Sequence, residues 1–192
     1  MMDARFLRNE MLWGKEGQAR LARAHVILFG LGGVGSYVAE CLARSGIGEL
    51  TLVDGDTVAL SNLNRQLEAL SSTIGLPKAE AVARRIAEIN PEAVLHPMQA
   101  LYNADNRVLF FPEGCHYDYI VDAIDLVSCK LDLAETARRL HIPLIMALGT
   151  GNKLDPSLLR LADISETYGC PLARVMRREL RSRGIQHQTV VF

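Results

Sequence analysis

Residues 30–36 read GLGGVGS, and this stretch decides the expected fold. An apolar run at 25–29 precedes it, and a stretch with helical periodicity follows it. A strand, a glycine-rich loop and a helix in this order begin a Rossmann-like unit, in which backbone N–H groups and the positive end of the helix dipole face a phosphate. The motif glycines are Gly30, Gly32 and Gly35. Their G-x-G-x-x-G spacing predicts a nucleotide-binding loop, and the loop alone suits NAD and ATP equally.

Apolar runs alternate with helical patterns along the rest of the chain, which is typical of a parallel sheet covered by helices. The predicted strands lie near 25–29, 50–54, 93–98, 119–124 and 144–148. We therefore expect an α/β fold, a Rossmann-like, doubly wound, mostly parallel sheet with helices on both faces. Residues 1–150 would form the nucleotide-binding domain with an N-terminal helical arm. Residues 151–192 would add a C-terminal strand–helix–strand extension, which we expect to be incomplete because the last apolar run has no terminating signal.

The composition narrows the class of protein. Hydrophobic residues make up 49% of the 192 residues, as in packed globular proteins, and the net charge of −1 leaves room only for a local nucleic-acid-binding surface. The chain has no long uncharged apolar run and no secretory leader, so we expect no membrane segment and, by default, a cytoplasmic location. The cysteines are widely spaced, with no C-x-x-C pair, which favours buried thiols over a zinc or dithiol site. They are Cys41, Cys115, Cys129 and Cys170.

Polar residues after the second predicted strand suggest which nucleotide binds. Asp54 ends that strand roughly 20 residues beyond the loop, where an acid can accept hydrogen bonds from ribose hydroxyls. The irregular segment 55–76 carries Asn64 and Arg65, and Lys78 begins the next helix. An amide, a guanidinium and an ammonium group together suit the outer groups of a triphosphate better than NAD. The alternative for Arg65 and Lys78 is ordinary solvated surface.

A second acid follows the buried strand near 119–124. Asp125, in the sequence VDAID, is predicted to lie at the carboxyl end of the sheet, where it could bind Mg²⁺ that bridges phosphates. Asp122 would support it. The alternative for Asp125 is a helix N-cap.

Six motifs in this order resemble the adenylating domain of ubiquitin-activating enzymes and of bacterial activators of sulfur-carrier proteins. They are RFLR, GLGGVGS, LVDGD, SNLNRQ, PKAE and VDAID, and they span about residues 5–150. The resemblance implies that residues 1–150 bind ATP and Mg²⁺, adenylate a carboxylate and release pyrophosphate.

The same resemblance assigns a role to individual residues. Gly33 would belong to the loop and Asp54 would contact the ribose. The phosphates would be held by Asn64, Arg65 and Lys78, with Asp125 on Mg²⁺. Arg8, in RFLR, would reach into the site of a partner subunit, which implies a homodimer in which Arg8, Arg65 and Asp125 serve catalysis.

Two later segments, GTGNKLDP at 149–156 and CPLARVMRRELRSRGI at 170–185, resemble the branch of this family that dehydrates threonylcarbamoyladenosine beside the tRNA anticodon. That branch adenylates the carboxylate of the modified base so that a ring can close, with net loss of water. The alternatives are an activator of a small sulfur-carrier protein, which usually carries two C-x-x-C pairs, and a non-catalytic Rossmann module. A sulfurtransferase-type protein partner is a further expectation.

The segment 172–183 adds a physical reason to consider RNA. Leu172, Met176 and Leu180, with Val175 beside them, are predicted to form an apolar stripe, and five arginines outnumber the single acidic residue between 174 and 183. Arginines on another face can contact RNA phosphates. The candidates are Arg174, Arg177, Arg178 and Arg181, with Arg183 close by. The alternatives are a solvated helix face and a dimer contact. Cys170, just before this helix, is a further candidate for a chemical role, because a thiol near a helix N-terminus can be nucleophilic. Ring closure, however, needs no thioester.

Overall fold

The computed structural model describes residues 4–150 and 153–192. Contacts within the chain group these residues into two compact units. The first holds residues up to 101 together with 116–118, and the second holds 102–115 and 119–192. Gly151 and Asn152, in the segment GTGNKLDP, lie outside the described residues. The predicted domain boundary between 150 and 151 falls at this gap. That boundary stays a prediction.

Three parallel strands form the sheet of the first unit, in the order β3-β2-β1. They are β1 (His25–Phe29), β2 (Glu49–Val53) and β3 (Val94–Met98). Helix α2 (Gly35–Ser45) connects β1 to β2, and α3 (Lys78–Ile89) precedes β3. All residues of β1 and β2 after the first are buried, which explains their nearly continuous apolar sequence.

The predicted N-terminal arm is helix α1 (Leu7–Leu21), which is broken at Gly14. Gly14 has a φ of 74°, a left-handed conformation that glycine adopts without a steric penalty. Two side chains of α1 hold the end of α2, since Asn9 donates to the carbonyl of Arg44 (2.7 Å) and Gln18 donates to that of Ser45 (3.1 Å).

Four strands form the sheet of the second unit, in the order β4-β5-β7-β6. They are β4 (Tyr119–Asp122), β5 (Leu144–Ala147), β6 (Leu161–Asp163) and β7 (Thr189–Val191). Only β6, at the edge, runs antiparallel to its neighbour. The helices are α4 (Arg107–Phe110), α5 (Val127–Leu140) and α6 (Pro171–Ser182). The mostly parallel α/β fold and the terminal strand–helix–strand order are therefore confirmed.

One predicted strand is shorter than expected. The strand predicted to reach residue 124 ends at Asp122, because the Asp122 carboxylate accepts the N–H of Ile124 (2.9 Å) and turns the chain. Helix α4 begins at Arg107, after a turn in which Oδ1 of Asn103 accepts the backbone N–H groups of Asp105 (2.8 Å) and Asn106 (3.1 Å).

The cysteines are only partly as expected. Cys129 and Cys170 are buried, but Cys41 is exposed and Cys115 is half-buried, so the prediction of buried thiols is wrong for Cys41. Within the described ranges no helix combines the length and apolar character needed to cross a membrane.

Candidate nucleotide-binding site

The glycine loop connects the carboxyl end of β1 to the first turn of α2. Gly30 has a φ of 86°, and its N–H donates to the carbonyl of Val53 at the end of β2 (2.8 Å). The hydroxyl of Ser36 then donates to the carbonyl of Gly32 (2.7 Å) and accepts the N–H of Leu67 (3.2 Å). Ser36, which sequence reasoning missed, therefore joins the loop to the segment 55–76.

The middle of the loop leaves room that a ligand can use. A Cβ added at Gly33 would lie 3.6 Å from Cγ of Arg65, and one added at Gly32 would lie 3.5 Å from Nε2 of Gln66. These are ordinary van der Waals separations, so the folded chain alone would tolerate a methyl group at either position. Glycine at these two positions instead fits close approach of a phosphate to the backbone. Gly35 is the first residue of α2 and is buried.

Asp54 is half-buried directly after β2, and backbone groups fix its carboxylate. Its Oδ2 accepts the N–H of Leu31 in the loop (2.7 Å), and its Oδ1 accepts the N–H of Asp56 (2.8 Å). Each oxygen keeps a further lone pair. The arrangement fits the predicted contact with ribose hydroxyls.

The segment 55–76 folds back on itself and presents Arg65. Val58 and Leu76 pair through their backbones (2.8 Å), and buried Asn62 accepts the N–H of Ala59 (2.9 Å). Arg65 and Asn64 are exposed, and Nη1 of Arg65 donates to Oδ1 of Asn64 (2.9 Å). Asn64 therefore positions the guanidinium of Arg65, whose aliphatic stem lies against Gly33.

Lys78 is not solvated surface. Its side chain is 7% exposed, and its Nζ bonds Oδ2 of Asp56 at 2.9 Å. The carbonyl of Asp56 also accepts the N–H of Lys78 (3.0 Å), which fixes the start of α3. Asp56 was missed as a functional candidate, although its position two residues after Asp54 in LVDGD is a usable signal.

Two further buried groups lie in this segment. Glu68 is 2% exposed and Gln66 is 7% exposed, and within the described residues neither Glu68 oxygen nor Oε1 of Gln66 has a hydrogen-bond partner. Burial raises the pKa of the Glu68 carboxyl above its usual range, although the charge of the Lys78 ammonium acts in the opposite direction.

Asp125 belongs to the second unit and lies three residues beyond the end of β4. It is exposed, and helix α5 is capped by Leu126 without any side-chain hydrogen bond, so the N-cap alternative for Asp125 is wrong. Asp122 does not support it by a hydrogen bond. The Asp122 carboxylate is instead fully buried and paired with Nζ of Lys130 at 2.8 Å, a partner that sequence reasoning missed.

Helix α6 gathers the predicted arginines around one cavity of about 450 Å³. Its lining includes Arg174, Arg177, Arg178 and Arg181. Arg177 donates to the carbonyl (2.5 Å) and hydroxyl (2.7 Å) of Thr167, and Arg178 pairs with Glu179 (2.9 Å). The buried stripe of the helix differs from the predicted one, because Ala173 takes the place expected of Leu172 beside Met176 and Leu180.

Arg8 and Cys170 are the remaining residues that the sequence predicted to be functional. Arg8 is exposed on α1. Cys170 is buried and caps α6, since its Sγ accepts the N–H of Ala173 (3.3 Å) and contacts the carbonyl of Gly149 (3.3 Å). These contacts give Cys170 a structural role at the start of α6.

Parallel strands with a glycine loop after the first and a fixed acid after the second define a nucleotide-binding protein of Rossmann-like fold. The chain belongs to the ThiF family, whose family model matches residues 6–191. Both the predicted fold class and the predicted family are confirmed.

Several named proteins are similar to this chain over most of its length. The chain is 45% identical over 181 residues to the tRNA threonylcarbamoyladenosine dehydratase of Bacillus subtilis, covering 94% of this chain and 70% of that protein. The crystal structure of the Escherichia coli tRNA N6-threonylcarbamoyladenosine dehydratase, TcdA, in complex with ATP matches with a TM-score of 0.91 and 39% identity, covering 98% of this chain and 80% of that one. The E. coli molybdopterin-synthase adenylyltransferase is 35% identical over 155 residues, covering 81% of this chain and 61% of that protein. The chain thus spans about two thirds of the curated relatives' length.

Proposed function

We propose that this chain carries out the ATP-dependent dehydration of threonylcarbamoyladenosine in tRNA, by adenylating the carboxylate of the modified base. One observation carries the proposal: Arg65 lies against Gly33 of a loop that Asp54 fixes, in a chain that resembles a dehydratase crystallised with ATP. An arginine beside a phosphate-binding loop suits a nucleotide whose outer phosphates must leave.

Each part of the first unit would hold one part of ATP. The backbone N–H groups at Gly32, Gly33 and the start of α2 would bind phosphate oxygens, with Gly30 and Gly35 giving the loop its shape. The carboxylate of Asp54 would accept hydrogen bonds from the ribose. The outer phosphates would meet Asn64, Arg65 and Lys78, whose donors are already oriented by Ser61, Asn64 and Asp56.

The proposed chemistry rests on position and charge. An oxygen of the substrate carboxylate attacks the α-phosphorus of ATP, and the bond from that phosphorus to the pyrophosphate breaks. Arg65 and Lys78 stabilise the negative charge on the departing pyrophosphate. A nucleophilic atom of the same substrate then attacks the activated carbonyl carbon, loses its proton, and AMP leaves with one former carboxylate oxygen. The substrate has then lost one water.

Asp125 is the proposed ligand of Mg²⁺. Mg²⁺ is commonly held by one or two carboxylates together with substrate phosphates, so a single exposed carboxylate such as Asp125 fits this ion. When bound, Mg²⁺ neutralises phosphate charge. Asp125 would hold the ion on the protein side.

The arginines around the α6 cavity are the proposed tRNA contacts. Arg174 and Arg181 are exposed, whereas Arg177 is oriented by Thr167, so the cavity combines free and fixed guanidinium groups. One guanidinium group can donate two parallel hydrogen bonds to the oxygens of a phosphate. Four arginines around one concave surface therefore suit an RNA backbone.

The remaining parts of the proposal concern the oligomeric state, the cellular location and a protein partner. We infer a homodimer in which Arg8, exposed on α1, completes the site of the partner subunit. A cytoplasmic location suits an enzyme that acts on tRNA. A sulfurtransferase-type protein partner is retained as an inference from the family resemblance.

The test uses the chain with ATP, Mg²⁺ and tRNA that carries threonylcarbamoyladenosine, followed by nucleoside mass spectrometry. We expect loss of one water from the modified nucleoside. Arg65→Ala and Asp125→Ala should each lower the rate by about 100-fold or more, the loss typical of a well-placed charge-stabilising donor, with an unchanged circular dichroism spectrum. Arg84→Ala, at an exposed arginine of α3, is the matched control and should keep the wild-type rate.

A second candidate function follows from the similarity to molybdopterin-synthase adenylyltransferase, which favours activation of the C-terminus of a small sulfur-carrier protein. Under that alternative the chain releases pyrophosphate only when such a protein is added, and the tRNA nucleoside keeps its mass. That result, or normal turnover by Arg65→Ala, would contradict the proposed dehydration.

A further inference from the structure

Two histidines and a glutamate meet on one face of the first unit's sheet. The parallel register places His25 of β1 opposite Glu49 of β2, and places Thr51 of β2 opposite His96 of β3. Residues opposite each other share a face, and Glu49 and Thr51 share one because they are two apart along a strand. His25, Glu49 and His96 therefore project to the same side from three adjacent strands.

The ligand-type atoms of these three side chains are close together. Nε2 of His96 lies 2.7 Å from Oε1 of Glu49, and Nδ1 of His25 lies 3.5 Å from the same oxygen. One ligand atom from each residue can be chosen so that all three lie within 4.8 Å of one another. Three atoms bound tetrahedrally to one ion at about 2 Å lie about 3.3 Å from one another. Small side-chain adjustments reach this geometry: the Nε2–Oε1 pair of His96 and Glu49 lengthens slightly, and the longer separations shorten.

The surroundings of His25 suit a metal ligand. Its Nε2 contacts the hydroxyl of buried Thr51 at 2.9 Å, and its ring packs edge-on against Tyr117. If Nε2 donates this hydrogen bond to the Thr51 hydroxyl, Nδ1, which faces Glu49, keeps a lone pair with which to bind a metal.

We propose that His25, Glu49 and His96 form a binding site for one Zn²⁺ ion, with water completing the coordination. Two imidazole nitrogens and one carboxylate are a donor set that zinc accepts, whereas Mg²⁺ prefers oxygen ligands alone. The His96 side chain is 46% exposed and that of His25 is 16% exposed, so an ion can enter from solvent while the site stays partly shielded.

This zinc site is separate from the nucleotide site in the same unit. His25 and Glu49 are the first residues of β1 and β2, whereas the glycine loop and Asp54 follow the last residues of these strands. An ion held by three strands would tie β1, β2 and β3 together and stabilise the first unit, because it binds the folded form and not the unfolded chain.

The test is isothermal titration calorimetry of the chain with Zn²⁺, after bound metals have been removed with a chelator. We expect one ion per chain and a rise in Tm. His96→Gln and Glu49→Gln should each weaken binding by tenfold or more. Thr51→Val, which removes the partner of His25 without touching a ligand, should weaken it by roughly 10- to 100-fold.

The matched control is His187→Gln. His187 also faces a carboxylate, with its Nδ1 3.5 Å from Oδ1 of Asp163, but it is not part of the cluster. The His187→Gln substitution should therefore leave the affinity for zinc unchanged. Titration with Co²⁺ adds a spectroscopic readout, since a visible spectrum without thiolate charge-transfer bands excludes the cysteines as ligands. Wild-type affinity in His96→Gln and Glu49→Gln, thiolate bands with Co²⁺, or no binding by the wild-type chain would overturn the proposal.

Discussion

At the scale of single residues, buried charges shape the segment that follows β2. Lys78 and Glu68 are both buried, yet only Lys78 has a partner in the described structure, the carboxylate of Asp56. The sequence could predict that Lys78 begins a helix, but not that its ammonium group turns inward toward Asp56. That contact depends on how segment 55–76 folds back, and the segment has no periodicity from which to read its path.

The buried carboxyl of Glu68 predicts a pH-dependent stability. Its pKa is raised in the folded state, so the folded chain binds the proton more tightly than the unfolded chain does. Stability is therefore favoured below the unfolded pKa, near 4.3, and is lost as the pH rises through the folded pKa. Glu68→Gln removes this titration, so its Tm relative to that of the wild type should rise as the pH increases above the unfolded pKa.

The measurement is thermal unfolding of the wild-type chain and of Glu68→Gln at a series of pH values from the unfolded pKa upward. Each unit by which the pKa is raised corresponds to about 1.4 kcal/mol of unfolding free energy. Glu88→Gln, at an exposed glutamate of α3, is the control and should show no such trend. A Tm difference between Glu68→Gln and wild type that stays constant with pH would count against the raised pKa.

At the scale of elements, one ion pair joins β4 to α5. Asp122 ends the strand, Lys130 lies in the second turn of the helix, and both side chains are fully buried. Lys130 shares the buried face of α5 with Cys129, Leu133 and Ala134, so its position on that face was readable from the sequence. Its partner was not, because a lysine on an apolar face is read as an error in the pattern until the strand beneath it is known.

We expect Lys130→Met to lower the free energy of unfolding by about 3–5 kcal/mol, because it leaves the Asp122 carboxylate buried without its partner. The double variant Lys130→Met with Asp122→Asn should recover much of that loss, since the asparagine is uncharged and its oxygen can still accept the N–H of Ile124. Urea unfolding of the wild-type chain and of both variants measures these changes in the free energy of unfolding. Lys15→Met, at an exposed lysine, is the control, and a loss below about 1 kcal/mol in Lys130→Met would contradict the pairing.

Strands and helices were predictable wherever a local pattern specifies them. The glycine loop, Asp54 and the helix after Pro77 are found where the sequence places them, because spacing and periodicity within a short window fix each of them. The cluster of His25, Glu49 and His96 could not be predicted in this way. Its members come from three strands, and only the pairing register brings their side chains together.

At the scale of the whole molecule, family membership and the local site point to the same chemistry. The ThiF family match spans residues 6–191, and the loop, Asp54, Arg65 and Lys78 all lie within it. The glycine spacing alone was ambiguous between NAD and ATP. The surrounding charges favour a nucleotide that is consumed, and this is the central claim of the proposed function.

The most direct measurement of that claim counts products in a single reaction. The chain is mixed with ATP, Mg²⁺ and tRNA bearing threonylcarbamoyladenosine, and AMP is quantified beside the dehydrated nucleoside. We predict one AMP for each dehydrated nucleoside, and neither product when NAD replaces ATP. Dehydrated nucleoside formed without AMP, or AMP formed while the tRNA nucleoside keeps its mass, would contradict the account.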